Sequence, residues 1–285
     1  MSALTETARA KINLTLRVVG RRADGYHELE SLVAFAGLAD TLMLAPGPQL
    51  SLEMTGPHAA VCGPAADNLV LKATARLRER VGALQAGRFV LEKNLPVAAG
   101  IGGGSADAAA ALRLLARAND IALEDPRLSA AALATGADVP VCLSQRARIM
   151  RGVGEVLSAP LSLAPLPAVL VNPGVALATR DVFVAFAGNK GSEKPLDAVP
   201  ATYDALIGLL GEHGNDLTQA AIKCNAMVAQ VLEALNLLPG VRLSRMSGSG
   251  ATCFGLFGSS GEAEAAAQRL KAENKTWWVA ATTLS

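Results

Sequence analysis

The residues best suited to chemistry lie in one run, Pro96-Val97-Ala98-Ala99-Gly100-Ile101-Gly102-Gly103-Gly104-Ser105-Ala106, followed by Asp107. Its four glycines let the backbone take positive φ and approach a ligand with no Cβ in the way. Ser105 opens an Ala- and Leu-rich stretch, residues 105–119, that reads as the strongest helix of the chain with Ser105 as its N-cap. The unpaired amides and positive dipole end of such a helix face back into the glycines, making a hole sized for a phosphate. A glycine run alone also reads as a flexible turn; the strand expected before it and the long helix after it favour the anion hole. No Lys-Ser or Lys-Thr pair follows, so this is no Walker loop. Counted from Gly100, the third glycine of a GxGxxG pattern falls on Ser105, so it is no dinucleotide fingerprint either.

Elsewhere the chain offers single residues of useful chemistry. Lys11, Asn13, Thr15 and Arg17 alternate with Ile12, Leu14, Leu16 and Val18, so an ammonium and a carboxamide project from one face of a half-buried strand. Asp24-Gly25 marks a turn, and Tyr26 and His27 follow it. Asp138 stands in Gly136-Ala137-Asp138-Val139-Pro140. Ser247-Gly248-Ser249-Gly250-Ala251-Thr252 links two strands, and Gly248 and Gly250 permit close approach to phosphates. Taken singly, each has a plain structural reading: an exposed strand lysine, a turn aspartate, a packed tyrosine, a hydrogen-bonded surface histidine, an ordinary hairpin.

These residues must be positioned by a chain of 285 residues, 51% hydrophobic, enough for a well-buried core and by length two domains. Lys plus Arg (26) nearly balance Asp plus Glu (25), so neither nucleic acid nor a membrane is expected as a partner, and any anion site must be local. Cys62, Cys142, Cys224 and Cys253 form no CxxC pair and read as small buried thiols; His27, His58 and His213 have no zinc-site spacing. The N-terminal apolar residues are interleaved with polar ones, and no apolar run is long enough to span a bilayer. The expected location is the cytoplasm.

Periodicity and turn residues predict strands at 12–18, 31–35 and 41–44, a helix at 67–81 and a strand at 88–93. A second helix at 129–135 is expected to leave through a left-handed Gly136, with Val139 extended before Pro140. Three prolines within residues 158–167 read as a domain connection, placing domains at 1–157 and 158–285. Beyond it, strands at 168–171, 241–246, 252–257 and 276–280 and helices at 216–238 and 261–273 spell βαββαβ, the ferredoxin-like pattern. Residues 188–200 read as a mobile insertion.

With these segments in this order, the sequence resembles the GHMP kinases, in which a PxxxGxGGGS loop wraps the ATP phosphates. Ala10-Lys11-Ile12-Asn13-Leu14, Asp24-Gly25-Tyr26-His27-Glu28-Leu29, Gly136 to Pro140 and Ser247 to Thr252 are similar to motifs of one branch of that family. That branch phosphorylates the 2-hydroxyl of 4-diphosphocytidyl-2-C-methyl-D-erythritol in the non-mevalonate isoprenoid pathway. The resemblance runs from about Ala8 to Phe257. It implies an α+β fold of two domains: an N-terminal ribosomal-protein-S5-domain-2-like domain that binds ATP, and the ferredoxin-like one. It implies Lys11 and Asp138 as catalytic residues and Pro96 to Ala106 as the ATP loop. Asn13, Tyr26, His27, Gly248 and Gly250 would bind substrate, with Phe183 closing over the cytosine. ATP is the implied cofactor and Mg²⁺ arrives with it, its protein ligands unassigned. The departures are Ile101 for a commoner leucine and Ala106 for a second serine. Two alternatives stay open: a kinase of this family for another small alcohol, such as homoserine or mevalonate, and a non-catalytic nucleotide-binding relative.

Overall fold

The computed structural model of the protein describes residues 3–186, 194–196 and 198–285. In chain order its elements are β1 (Leu4–Asn13), β2 (Arg17–Arg21), β3 (His27–Pro46), β4 (Ser51–Thr55), α1 (Leu69–Val81), β5 (Gly87–Glu92), α2 (Gly103–Ala118), α3 (Pro126–Thr135), α4 (Val139–Ser144), β6 (Arg148–Gly152) and β7 (Val156–Leu157). They continue with β8 (Leu166–Asn172), α5 (Thr179–Phe186), α6 (Tyr203–Glu212), α7 (Thr218–Cys224), α8 (Met227–Asn236), β9 (Val241–Met246), β10 (Cys253–Phe257), α9 (Ser260–Glu273) and β11 (Trp278–Leu284).

Local chemistry sets many of the ends. The Asn68 carboxamide accepts from the Val70 amide and caps α1, and Gly82 at φ 76 ends it. Asp125 caps α3, whose first residue is proline, where no N–H is needed. Ser259 and Glu262 close a reciprocal capping box on α9. The β2–β3 turn is held by the Arg22 amide donating to the Tyr26 carbonyl at 2.7 Å, with Gly25 at φ 89.

The chain divides into two compact units that interleave in sequence. The first comprises the start of the chain up to Ala10, Leu38–Val97 and Gly102–Gln145. Within it β4 runs parallel to β5, and β5 runs antiparallel to the second part of β3. Helix α2 is buried almost throughout, and its alanines let α1, α3 and α4 approach closely. Its buried Arg113 is matched by Glu6 at 3.0 Å and by the carbonyls of Thr7 and Cys142.

The second unit comprises Lys11–Gly37, Ala98–Ile101 and Arg146–Ser285. Its strands follow the order β11-β8-β10-β9, all antiparallel, with α8 and α9 packed on them. That is order 4-1-3-2 of a βαββαβ unit, as the ferredoxin-like expectation requires. Val171, Leu235, Phe257, Leu270 and Val279 lie in its core.

Several local expectations are corrected. The first strand begins at Leu4 and ends at Asn13, and it is not half-buried: Lys11, Asn13 and Thr15 are as buried as Ile12 and Leu14. The strands expected at 31–35 and 41–44 are one strand, β3, because Gly37 does not break it; its missing Cβ admits Thr282, whose hydroxyl accepts the Gly37 amide at 2.9 Å. The helix expected over 216–238 is two, α7 and α8, divided at Asn225, whose carboxamide accepts from the Met227 amide. Gly136 is extended at φ 173 rather than left-handed, and Val139-Pro140 opens α4, where proline needs no donor. Cys142 and Cys253 are buried as expected, but Cys62 is only partly so and Cys224 is exposed. The compact units interleave in sequence, with parts of β1, β3 and the glycine loop in each. Of the insertion at 188–200, residues 188–193 and 197 lie outside the described residues.

Candidate active site

Within the first unit the glycine run ends in the helix expected of it, shifted by two residues. Gly102, left-handed at φ 63 and ψ 20, is the N-cap, and α2 starts at Gly103. Ser105 is therefore the third helical residue and not the cap; a left-handed cap is open to glycine at no steric cost, and serine there would be strained. By helix geometry the Gly103, Gly104 and Ser105 amides have no acceptor inside the helix. The Ala106 amide is the first to find one, the Gly102 carbonyl at 2.8 Å. Only Gly100 (φ 74) and Gly102 among the four glycines take positive φ, while Ala98 does so at φ 53. Gly103 and Gly104 are helical, so their lack of a side chain keeps the amides accessible rather than permitting a turn.

Beside this helix start lies a buried charge cluster that sequence reasoning missed. The Lys93 ammonium donates to Asp40 Oδ2 at 2.5 Å and to Asp107 Oδ2 at 2.8 Å. Asp40 Oδ1 accepts the amides of Asn94 and Leu95, and Asp107 Oδ1 is buried with no partner among the described residues. One ammonium in a dry interior does not neutralise two carboxylates. Burial, with the neighbouring Asp40 adding to it, lifts the Asp107 carboxyl to about 7 despite the Lys93 charge. The attraction of both carboxylates raises Lys93 against its own burial. The available signal was slight: Asp107 closes the loop sequence and Lys93 follows the strand before it.

In the second unit Lys11 and Asn13 are buried, at 3% and 1% exposure. The Lys11 amide donates to the Ile101 carbonyl at 2.9 Å, so β1 holds the Ala98–Ile101 part of the glycine loop. Ser31 donates its hydroxyl hydrogen to the Thr15 carbonyl, so its oxygen accepts from Asn13 Nδ2 at 2.7 Å, which fixes the orientation of the amide. Asn13 Oδ1 is left buried with no partner among the described residues, 3.3 Å from where a Cβ on Gly248 would lie. It is an acceptor in waiting.

The Ser247–Thr252 turn packs on the same loop segment. Ser247 Oγ donates to the Gly100 carbonyl and accepts the Asn13 amide, both at 3.1 Å, and the Thr252 amide reaches the Ala99 carbonyl. A Cβ on Gly100 would stand 2.3 Å from the Gly250 carbonyl oxygen; one on Gly250 would stand 2.8 Å from Met246 Sδ. Gly248 and Gly250, at φ 58 and 87, are thus required by close packing as well as by any ligand.

At the β2–β3 turn Tyr26 is 66% exposed, its ring open to stacking. His27 stacks on Phe183 with ring centroids 4.9 Å apart and meets Phe186 edge-on at 6.3 Å. Burial and the charge of Arg21 lower the His27 pKa, favouring the neutral imidazole. The structure places Phe183 against the His27 ring itself, with Phe186 beside it. Asp138 lies in the first unit, half-buried at the start of α4, and Lys11 lies in the second.

Among the described residues no group of three His, Cys, Asp or Glu is arranged to hold a metal. The two carboxylates beside the start of α2 already share the Lys93 ammonium, which takes the place a cation would fill. They do not fit a resident magnesium site. Nor is any helix among the described residues long and apolar enough to cross a membrane.

The family model described as GHMP kinases N terminal domain matches residues 68–146, and that described as GHMP kinases C terminal matches residues 199–276. The chain is 59% identical over 297 residues to a 4-diphosphocytidyl-2-C-methyl-D-erythritol kinase of Rhodopseudomonas palustris (strain BisB5), with 100% of both chains covered. It is 56% identical over 292 residues to the same enzyme of Nitrobacter hamburgensis, covering 99% of this chain and 96% of the relative. Among solved structures it is similar to a 4-(cytidine 5'-diphospho)-2C-methyl-D-erythritol kinase, with TM-score 0.79, 35% identity and 99% of each chain covered. By both of its domains and over its full length, the chain belongs to the GHMP kinases.

Proposed function

We propose that this kinase transfers the γ-phosphoryl group of ATP to the 2-hydroxyl of 4-diphosphocytidyl-2-C-methyl-D-erythritol, in the cytoplasm, as a step of the non-mevalonate isoprenoid pathway. The observation that carries the substrate assignment is the aromatic turn: an open Tyr26 ring next to a neutral His27 stacked on Phe183. An aromatic face takes a flat base, and an imidazole edge reads its hydrogen-bonding groups. Homoserine and mevalonate carry no base to occupy such a site. The relatives that match over their full length are kinases of the cytidine compound, which supports the same reading.

In this reading the loop from Pro96 to Ala106 takes the ATP phosphates, with the open amides of Gly103, Gly104 and Ser105 as donors. Asp138 orients the acceptor hydroxyl and takes its proton as the oxygen attacks the γ-phosphorus and the bond to ADP breaks. Lys11 contributes positive charge toward the transferring phosphoryl. Asn13 Oδ1 accepts from a substrate hydroxyl, and Gly248 and Gly250 let the diphosphate approach the turn. Magnesium enters as part of the substrate, the ATP complex, with no protein ligand assigned. The test is ADP release with the diphosphocytidyl compound, homoserine and mevalonate in parallel, with the phosphorylated product identified. Turnover of either small alcohol in preference to the cytidine compound overturns the assignment.

A further inference from the structure

Four hydrogen bonds converge on Lys93, all inside the first unit. Its backbone is fixed from both sides: its amide donates to the Thr55 carbonyl at 2.8 Å, and its carbonyl accepts the His58 amide at 3.1 Å. The next two amides, Asn94 and Leu95, end on Asp40 Oδ1 at 2.6 and 2.8 Å. Pro96, the first residue of the glycine loop, follows directly. On the far side of the loop stands Asp107, the fifth residue of α2, fourteen positions from Lys93. The ammonium joins these two ends, donating to Asp40 at 2.5 Å and to Asp107 at 2.8 Å, and all three side chains are at most 4% exposed.

The ammonium also lies close to the first residue of α2. A Cβ placed on Gly103 would sit 3.7 Å from Lys93 Nζ and 4.0 Å from Asp40 Oδ2. A bare cation there would be repelled by the positive end of the helix, so the two carboxylates are what make its burial tolerable. With burial lifting the Asp107 carboxyl to about 7, the cluster carries less negative charge toward an incoming triphosphate than two ionised carboxylates would.

We propose that Lys93 is a positioning residue for the nucleotide: bridged between Asp40 and Asp107, it pins both ends of the glycine loop and presets the amides that receive the phosphates. It acts through the loop and touches no reacting atom. The inference rests on the reading of that loop as the phosphate site. Order held before the ligand arrives is ordering that binding need not supply, so loosening the pin should weaken nucleotide affinity and leave the acceptor site alone.

The experiment titrates the full-length protein with the β,γ-imido analogue of ATP by calorimetry, alongside steady-state kinetics on both substrates. Lys93→Met keeps the side chain's length and removes its charge; it should weaken analogue binding about tenfold or more, while the acceptor KM moves less than about threefold. Asp107→Asn keeps the volume, leaves the Lys93–Asp40 pair balanced and decides the matter if Lys93→Met fails to fold; it should weaken binding about three- to tenfold. Gly102→Val tests the loop itself and should abolish analogue binding. If Gly102→Val binds like the parent, the phosphate-loop reading falls. If Gly102→Val loses binding and the folded Lys93 and Asp107 variants stay within twofold of the parent, the pin is structural only and the proposal is overturned. Equal losses in nucleotide affinity and acceptor KM overturn it as well.

Discussion

Folding and the proposed recognition of the base separate most sharply at Tyr26. The contacts that hold it are backbone ones: its amide donates to Asp24 Oδ1 at 3.1 Å, and its carbonyl accepts from the Arg22 amide. With the residue 66% exposed, Tyr26→Ala should change stability by no more than about 0.5 kcal/mol and shift Tm by about 1–2 °C. A base stacked on that ring is worth about 1–3 kcal/mol, which corresponds to about a five- to 150-fold loss of affinity. Because the handle is remote from the transferred group, the loss should appear in the KM for the diphosphocytidyl substrate, with kcat nearly unchanged. ATP affinity should not move. His27→Ala differs in kind: its ring already stacks on Phe183 in the free protein, so truncation also removes about 0.5–1.5 kcal/mol of aromatic packing. The assay compares the parent and both variants on the cytidine substrate and on its uridine analogue, at saturating ATP. The parent should prefer cytidine, and the His27 variant should prefer it less. A KM within twofold of the parent in folded Tyr26→Ala refutes the stacking argument.

Three further outcomes follow from the geometry. Asp138→Asn should fold normally and lower kcat by about 10²- to 10⁴-fold at saturating substrates; a loss of only a few-fold removes Asp138 from the proton transfer. Because Gly102 is the left-handed cap and Ser105 the third helical residue, Ser105→Ala should weaken nucleotide binding by no more than about tenfold, while Gly102→Val costs far more; the reverse order in calorimetry would mean that the hydroxyl dominates. Asp107 holds its proton up to about 7 in the fold but releases it near 3.8 when unfolded, so its contribution to stability is complete below about 4 and declines as pH rises to 7. With Lys93, Asp40 and the partly buried Cys62 as its titratable neighbours, urea midpoints of the parent relative to Asp107→Asn should fall across that window; a rise refutes the sign.

What could be read from the residues was whatever local chemistry decides. The ferredoxin-like half was legible because its strands and helices are short, periodic and separated by turns, and its strand order follows from the βαββαβ sequence. The helix after the glycine loop was legible because its Ala- and Leu-rich composition favours one. Reading the details failed where tertiary contacts overrule local preference. Ser105 is a better cap than glycine by propensity, yet the backbone enters α2 left-handed, and there only the absence of Cβ counts. Lys11 and Asn13 follow a strict alternation with apolar neighbours, which is the mark of an exposed face; both are buried, and Asn13 finds a polar partner inside in Ser31.

The Lys93 cluster shows why that failure is systematic. Alternation and composition treat every lysine and aspartate as solvent-facing, since an unpaired charge in the interior costs several kcal/mol. That cost is avoided only by partners, and the partners here come from the middle of β3, the end of β5 and the second turn of α2. No window of sequence contains all three. Yet the same cost makes the cluster informative once seen, because a buried Lys bridging two Asp adds little stability that apolar residues of similar volume would not match. Apolar substitutes would not direct two consecutive amides to a single carboxylate oxygen one residue before the loop. The feature that ionic groups supply and apolar ones do not is direction, and direction is what a backbone-built phosphate site requires.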